Sequence, residues 1–307
     1  MIWVVVPALD EAENLVELVP RIAAEVLAFD PLGRVLVVDD GSTDDTGKVM
    51  ARLMGDLPCV ELETHRHNLG KAAALQHGFA RALDGGADVV VMMDADGQDD
   101  PAELPRLLAR LEDGADLVTG ARLERHDRFV KRTTSRLYNR TTGLLSGAPG
   151  RDFNSGFKAM RADVARDVSP MLYGEMHRYL TVIAHGLGHR VAEVPVQHHA
   201  RMRGSSKYGL NRFWRGMSDL VTVRFLLSYE HRPSHLFGGI GVLSFLAGMV
   251  CLVWLTGLKL VAGLAIGDRP LLIAGVLLVM VGLQLTLFGL LAELVVNARN
   301  RDPGRRA

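Results

Sequence analysis

Two stretches near the C-terminal end, Leu236 to Leu258 (LFGGIGVLSFLAGMVCLVWLTGL) and Leu271 to Ala292 (LLIAGVLLVMVGLQLTLFGLLA), contain no charged residue. A helix of about 22 residues, rising ~1.5 Å per residue, is about 33 Å long, which is enough to cross a ~30 Å hydrocarbon layer. Core helices of a soluble domain seldom stay uncharged for so long, so the pair is expected to form a transmembrane hairpin. Its connection, KLVAGLAIGDRP, carries Lys259 and Arg269; the flanks carry Arg224 and Arg232 before it and Arg299, Arg301, Arg305 and Arg306 after it. That bias places both chain ends on the cytoplasmic side of a cytoplasmic (inner) membrane. The start, MIWVVVPALDE, lacks the basic opening of a signal peptide. The expected division is a cytoplasmic domain over 1–209, a juxtamembrane segment over 210–234, the hairpin over 235–298 and a basic cytoplasmic tail over 299–307.

The juxtamembrane stretch LNRFWRGMSDLVTVRFLLSYEHRP sets Phe213, Trp214, Met217, Leu220 and Val221 at helical spacing with arginines between them. It reads as an amphipathic helix lying on the bilayer, the plainer alternative being a linker. Lys plus Arg and Asp plus Glu each number 35, so bulk charge gives no reason to expect a nucleic-acid partner. Cys59 and Cys251 have neither metal-ligand spacing nor the company a disulfide framework needs, and both are read as ordinary buried thiols.

Ahead of that segment, β-branched runs alternate with helical patterns. IWVVVPA, RVLVVDDG, VELETH, DVVVMMDAD and DLVTGAR read as strands, separated by EAENLVELVPRIAAEVL, DTGKVMARLM, GKAAALQHGFARAL and PAELPRLLARL as helices. The alternation predicts an α/β fold with a mostly parallel sheet covered on both faces, whose ligands bind beyond the carboxyl ends of the strands. Three strands end there in PALDE, DDGSTDD and DADGQDD. The nucleotide-binding patterns GxGxxG after the first strand and GxxxxGK[ST] are absent, and GGIG at Gly238 to Gly241 falls in the first apolar run, where it reads as helix packing.

MMDADGQDDP brings four carboxylates together after an apolar strand, which calls for a positive partner. In an extended chain Asp94 and Asp96 share a face, and with the Gln98 amide oxygen they form a hard-oxygen set suited to Mg²⁺ or Mn²⁺. Asp99 and Asp100 read as caps of the helix that Pro101 opens. Asp39 and Asp40 can accept from base or ribose groups, while Asp44 reads as a helix N-terminal residue. Gly70 and Lys71 open a helix, which leaves Lys71 either a nucleotide contact or a surface lysine.

In this order and spacing VPALDEAENL, VVDDGSTDDT, NLGKAAAL and DADGQDDP resemble family 2 glycosyltransferases of the nucleotide-sugar (GT-A) fold. DFNSGFKAMR, GEMHRYLTVIAHGLGHRVAEVPVQH and RMRGSSKYGLNRF are similar to its polyprenyl-phosphate branch, which includes dolichol-phosphate mannose synthase and bacterial undecaprenyl-phosphate glucosyltransferases. The resemblance implies that Pro7, Ala8, Glu11 and Asp40 border the nucleoside and that Asp94, Asp96 and Gln98 hold the metal. It further implies that Arg122, Arg132 and Ser135 grip the acceptor phosphate and that Arg203 and Lys207 meet the donor diphosphate. Gly97 departs from the bulkier residue many relatives carry there.

What the resemblance implies is inverting transfer of a sugar from a nucleotide diphosphate sugar to polyprenyl phosphate; a homo-oligomer is compatible with it. Such an acceptor is largely ionised at neutral pH, its second pKa lying near ~6, so no strong general base is needed. Cations suffice, by positioning two anions and stabilising the leaving diphosphate. Asp152 could take a proton, orient a sugar hydroxyl or hold an arginine, and His177 is either a site residue or a buried structural histidine. Two rivals stay open: a processive polysaccharide synthase, whose QxxRW motif is not found, and a non-catalytic membrane protein that binds nucleotide sugars.

Overall fold

The computed structural model describes residues 1–122, 142–143, 146–199 and 233–300. The chain divides into two compact units, Met1–Arg224 and Phe225–Ala307.

In the first unit the strands and helices expected ahead of the juxtamembrane segment all form. They are β1 (Ile2–Ala8), α1 (Ala12–Phe29), β2 (Arg34–Asp39), α2 (Thr46–Asp56), β3 (Val60–Thr64), α3 (Lys71–Asp84), β4 (Val89–Met92), α4 (Leu104–Glu112) and β5 (Leu117–Arg122). Two further strands follow, β6 (Lys158–Arg161) and β7 (Val191–Val196), around the short helices Ala162–Val168 and Leu180–Gly186. Neither strand announces itself in the sequence: β6 has four residues and starts on a lysine, and β7 interrupts its apolar pattern with Glu193 and Pro195. Pro195 is tolerated because β7 lies at the edge of the sheet, where a missing N–H breaks no inner ladder.

The strands form one seven-stranded sheet in the order β3-β2-β1-β4-β6-β5-β7. All neighbouring pairs are parallel except those of β6, which runs antiparallel to both β4 and β5. Passing through one reversed strand returns β5 and β7 to the direction of β4, so their carboxyl ends emerge at the same edge. Leu15, Leu18, Val19, Ile22 and Val26 form the buried stripe of α1 and pack on Val4, Val6, Val35 and Val37 of the sheet. On α3, Gly78 lets helix and sheet approach closely: a Cβ there would lie 2.3 Å from Cγ1 of Val5.

The boundary that matters most for the site differs from expectation. β4 ends at Met92, so Asp94 and Asp96 sit in the turn beyond the strand and do not continue it. Met93 and Ala95 are nonetheless buried, and their apolar character is what extends the strand pattern past its end.

The second unit contains two long helices, Pro233–Ala262 and Pro270–Asn300. Phe237–Ala262 and Pro270–Leu294 are long and apolar enough to cross a membrane, with mean hydropathies of 2.1 and 2.5. Glycines set their packing. A Cβ on Gly241 or Gly248 would meet the opposite backbone at 2.7 Å, and one on Gly282 would meet Phe245 N at 2.5 Å. Gly238 and Gly239 have open space around them, so of the GGIG run only its last residue packs in this way. The Ser244 hydroxyl donates across to the Leu278 carbonyl at 2.9 Å. The outward faces carry exposed Leu243, Val250, Trp254, Leu260 and Val261, which a core helix of a soluble protein would bury. Cys59 is buried and Cys251 half-buried, both with free thiols.

Candidate active site

From β1 the chain crosses to β2 and β3 on one side and to β4 on the other, which opens a crevice at the carboxyl ends of these strands. A cleft of about 310 Å³ occupies it, lined among others by Pro7, Ala8, Glu11, Asp40, Lys71, Asp94 and Asp96. That volume is within the range of small-ligand sites. Seven residues singled out from scattered motifs thus meet in one wall.

The positive partner that the acidic turn requires is Lys71, whose ammonium pairs with Asp94 Oδ1. Both side chains are half-buried, so Lys71 is no solvated surface lysine. Burial alone would raise the pKa of Asp94, but the Lys71 charge and hydrogen bond outweigh it and hold the carboxyl below its usual range. Asp94 also depends on Gly156: a Cβ there would lie 2.3 to 2.5 Å from the Asp94 carboxylate atoms, so only glycine leaves that carboxylate in place.

Asp40 belongs to the same lining. Its Oδ1 accepts from Leu69 N at 2.8 Å and contacts His65 Nδ1 at 2.8 Å, while Oδ2 accepts from Gly70 N at 2.8 Å. Its oxygens therefore fix the loop that leads into α3, and the Gly70 N–H is spent on that contact. Asp39 accepts from Ser42 N at 2.9 Å. Asp44 accepts from Thr46 N at 2.9 Å, as a helix N-terminal residue should, and from Ala12 N at 3.1 Å.

Asp94, Asp96 and Gln98 are half-buried and alternate with buried Ala95 and Gly97. Gly97 has φ 68°, a conformation that bulkier residues resist, which accounts for its place in this turn. The Gln98 N–H donates to Asp96 Oδ1 at 3.2 Å. Among the described residues no group of three or more His, Cys, Asp or Glu is placed to hold a metal unaided. Two carboxylates and an amide are the sparse set that suits Mg²⁺ or Mn²⁺ when water and ligand phosphates complete the shell.

Asp100 caps the turn at Pro101 as expected, accepting from Ala102 N at 3.1 Å. Asp99 does not: it is buried, and Oδ1 contacts His198 Nδ1 at 3.1 Å, because the chain leaving β7 runs alongside.

Arg122 and Asp152 form a two-pronged ion pair outside the cleft lining, with Nε–Oδ2 2.6 Å and Nη2–Oδ1 2.9 Å. Of the roles open to Asp152, holding an arginine is the one this geometry displays. Glu193 on β7 fixes the Asp152 loop by accepting from Arg151 N and Asp152 N, each at 2.8 Å. His177 Nδ1 is buried without a hydrogen-bond partner among the described residues. Burial, reinforced by Lys71 and Arg178, pushes its pKa down to about 3, so the ring stays neutral. Arg132, Ser135, Arg203, Lys207 and nearly all of the 210–234 segment lie outside the described residues.

A family model described as glycosyl transferase family 2 matches residues 3–169, more than half of the chain. The chain belongs to that family. The dodecaprenyl-phosphate galacturonate synthase of Rhizobium johnstonii is 35% identical over 97% of this chain and 88% of its own length. An undecaprenyl-phosphate 4-deoxy-4-formamido-L-arabinose transferase of Pseudomonas aeruginosa is 31% identical over 95% of this chain and 84% of its own. Among solved structures, the mannosyltransferase PcManGT from Pyrobaculum calidifontis, in complex with GDP-Man and Mn²⁺, gives a TM-score of 0.53 at 19% identity. That match covers 73% of this chain and 62% of the mannosyltransferase, less than two-thirds of it. Glucosyl-3-phosphoglycerate synthase from Mycobacterium tuberculosis, in complex with Mn²⁺, uridine diphosphate and phosphoglyceric acid, gives 0.54 at 19% identity. It covers 74% of this chain and 78% of that one. These likenesses establish the GT-A fold.

Lys158 is a residue of this family 2 glycosyltransferase that sequence reasoning passed over. It is fully buried on β6, and its ammonium donates to the Phe153 carbonyl at 3.3 Å and to that of Ser155. Burial pushes its pKa down to about 8, partly offset by Asp152. The signal was there: a lysine amid GFKAM, where every neighbour is apolar or glycine. Unfolded, a lysine titrates near ~10.4, so the folded protein binds fewer protons between the two values and stability rises with pH across them. At ~1.4 kcal/mol per unit the native chain should gain about 3 kcal/mol between pH 8 and 10.5, and Lys158→Met should not. Melting curves in detergent at stepped pH check this; parallel curves for the two proteins refute it.

Proposed function

We propose that this family 2 glycosyltransferase transfers a sugar, with inversion, from a nucleotide diphosphate sugar to a polyprenyl phosphate at the cytoplasmic face of a membrane. The observation that carries the reading is the cleft in which Asp94, Asp96 and Lys71 share a wall with Pro7, Ala8, Glu11 and Asp40. The acceptor is supported by the relatives' names, and by matches that run over 95 to 97% of the chain and so reach into its apolar helices. The Phe237–Ala262 and Pro270–Leu294 helices would bring the domain to its lipid substrate, both chain ends staying in the cytoplasm.

In this reading Pro7, Ala8, Glu11 and the Asp40-braced loop receive the nucleoside. Asp94, Asp96 and Gln98 hold Mg²⁺ or Mn²⁺, which when bound would neutralise charge on the departing diphosphate. Lys71, now on Asp94, is within reach of the same diphosphate, with Arg203 and Lys207 as further cations. Arg122, Arg132 and Ser135 receive the acceptor phosphate. Arg122 keeps N–H groups in hand after its two bonds to Asp152, since a guanidinium carries five. Because the acceptor arrives ionised, the protein's task is to bring two anions together and orient them for attack.

Membranes containing the protein should move label from a nucleotide-linked sugar into the organic phase when polyprenyl phosphate and Mn²⁺ are present, and excess chelator should stop it. The donor panel includes galacturonate and formamido-arabinose, the sugars in the relatives' names. If the label remains aqueous with every donor, the reading is wrong.

A further inference from the structure

Beyond Asp96 the chain makes two consecutive acid–histidine pairs. His198 Nδ1 meets Asp99 Oδ1 at 3.1 Å, and His199 Nε2 meets Asp100 Oδ2 at 3.1 Å. The backbone joins in, with an antiparallel bridge between Asp99 and His198 and the His199 N–H donating to the Gln98 carbonyl at 2.8 Å. Gln197 N donates to Glu103 Oε1 at 3.3 Å, and Arg21 Nη2 holds the other Asp100 oxygen at 2.7 Å. This stitching follows from topology: β7 runs parallel to β5, so its exit delivers residues 197–199 to the edge where the acidic turn lies.

One contact has a chemical consequence. The Gln98 side-chain nitrogen donates to the His199 carbonyl at 3.4 Å. An amide has one nitrogen and one oxygen end, so committing the nitrogen leaves the oxygen as the atom a hard cation would take. We propose that His198 and His199 are positioning residues for the metal-holding turn, clamping residues 98–100 so that Gln98 presents its amide oxygen to the divalent cation. This rests on the reading of Asp94, Asp96 and Gln98 as the cation's ligands. Partners of metal ligands commonly govern affinity in this way by fixing ligand orientation.

The test is Mn²⁺ binding to the full chain in detergent, read by calorimetric titration, which requires no turnover. His198→Phe combined with His199→Ala should weaken Mn²⁺ about tenfold, as loss of an orienting partner typically does. The exchange Asp99→His with His198→Asp, which rebuilds the pair in reverse, should recover most of that loss. If the double variant does not fold, His199→Ala is read alone; its side chain is 49% exposed, so the fold does not depend on it. The expected result there is a smaller weakening of the same sign. Native binding in the double variant, or in His199→Ala when only that protein folds, overturns the proposal while leaving the ligand assignment intact. If the unaltered protein binds no Mn²⁺, the ligand assignment falls and the clamp falls with it.

Discussion

Asp96→Ala should abolish sugar transfer, with a loss of about 10³-fold or more, while the protein keeps its melting temperature. The size follows from what a fixed charge contributes at a leaving group: deleting a single preorganised hydrogen-bond donor already costs about 10² to 10³ in turnover, and if Asp96 is a cation ligand as proposed, its loss removes part of the cation's hold as well. The stability half follows from position. Asp96 is half-buried in the cleft lining and lies beyond the end of β4, so its loss gives up contacts within the turn, the Gln98 N–H among them, and opens no core cavity. Asp94→Ala would be a poorer experiment, since it would strand the Lys71 ammonium and alter the packing over Gly156. Turnover should be measured at saturating Mn²⁺ and again with excess chelator. Full activity of the variant in chelator would remove the metal from the mechanism.

How far the sequence discloses this site depends on which forces are local. The strands and helices up to Arg122 are set by periodicity and turn chemistry, and they formed as read. The gathering of PALDE, DDGSTDD and DADGQDD at one edge follows from parallel strands ending together. What escaped has its cause in tertiary neighbours. The end of β4 was read late because Met93 and Ala95 are buried as thoroughly in a turn as they would be in a strand. Asp99 looks like a helix cap until β7, a strand with little sequence signal, brings His198 to it. Glu193 and Gly156 act on residues far away in the chain, and only the edge strand β7 and the reversed β6 bring them to Asp152 and Asp94. Arg132, Ser135, Arg203 and Lys207 rest on family resemblance.

Arg122→Ala is expected to destabilise the protein by about 3–5 kcal/mol, the usual cost of removing one partner from a buried ion pair. Asp152 is 5% exposed in its side chain and Arg122 18%, and the fork geometry engages both carboxylate oxygens. The penalty arises from leaving Asp152 buried without its arginine, so neutralising it should give much of the stability back. Arg122→Ala with Asp152→Asn should therefore melt higher than Arg122→Ala alone. In a purely additive system the second change could only lower stability further. The same variants separate scaffold from substrate contact. If Arg122 also receives the acceptor phosphate, Arg122→Ala and the double variant share a raised requirement for lipid phosphate, with donor affinity little changed. Asp152→Asn alone keeps the cation and should keep acceptor affinity closer to native. Were donor affinity the quantity that fell in both Arg122 variants, Arg122 would belong to the nucleotide side of the reaction; were neither to move, its role would be confined to bracing the loop that Glu193 holds from β7.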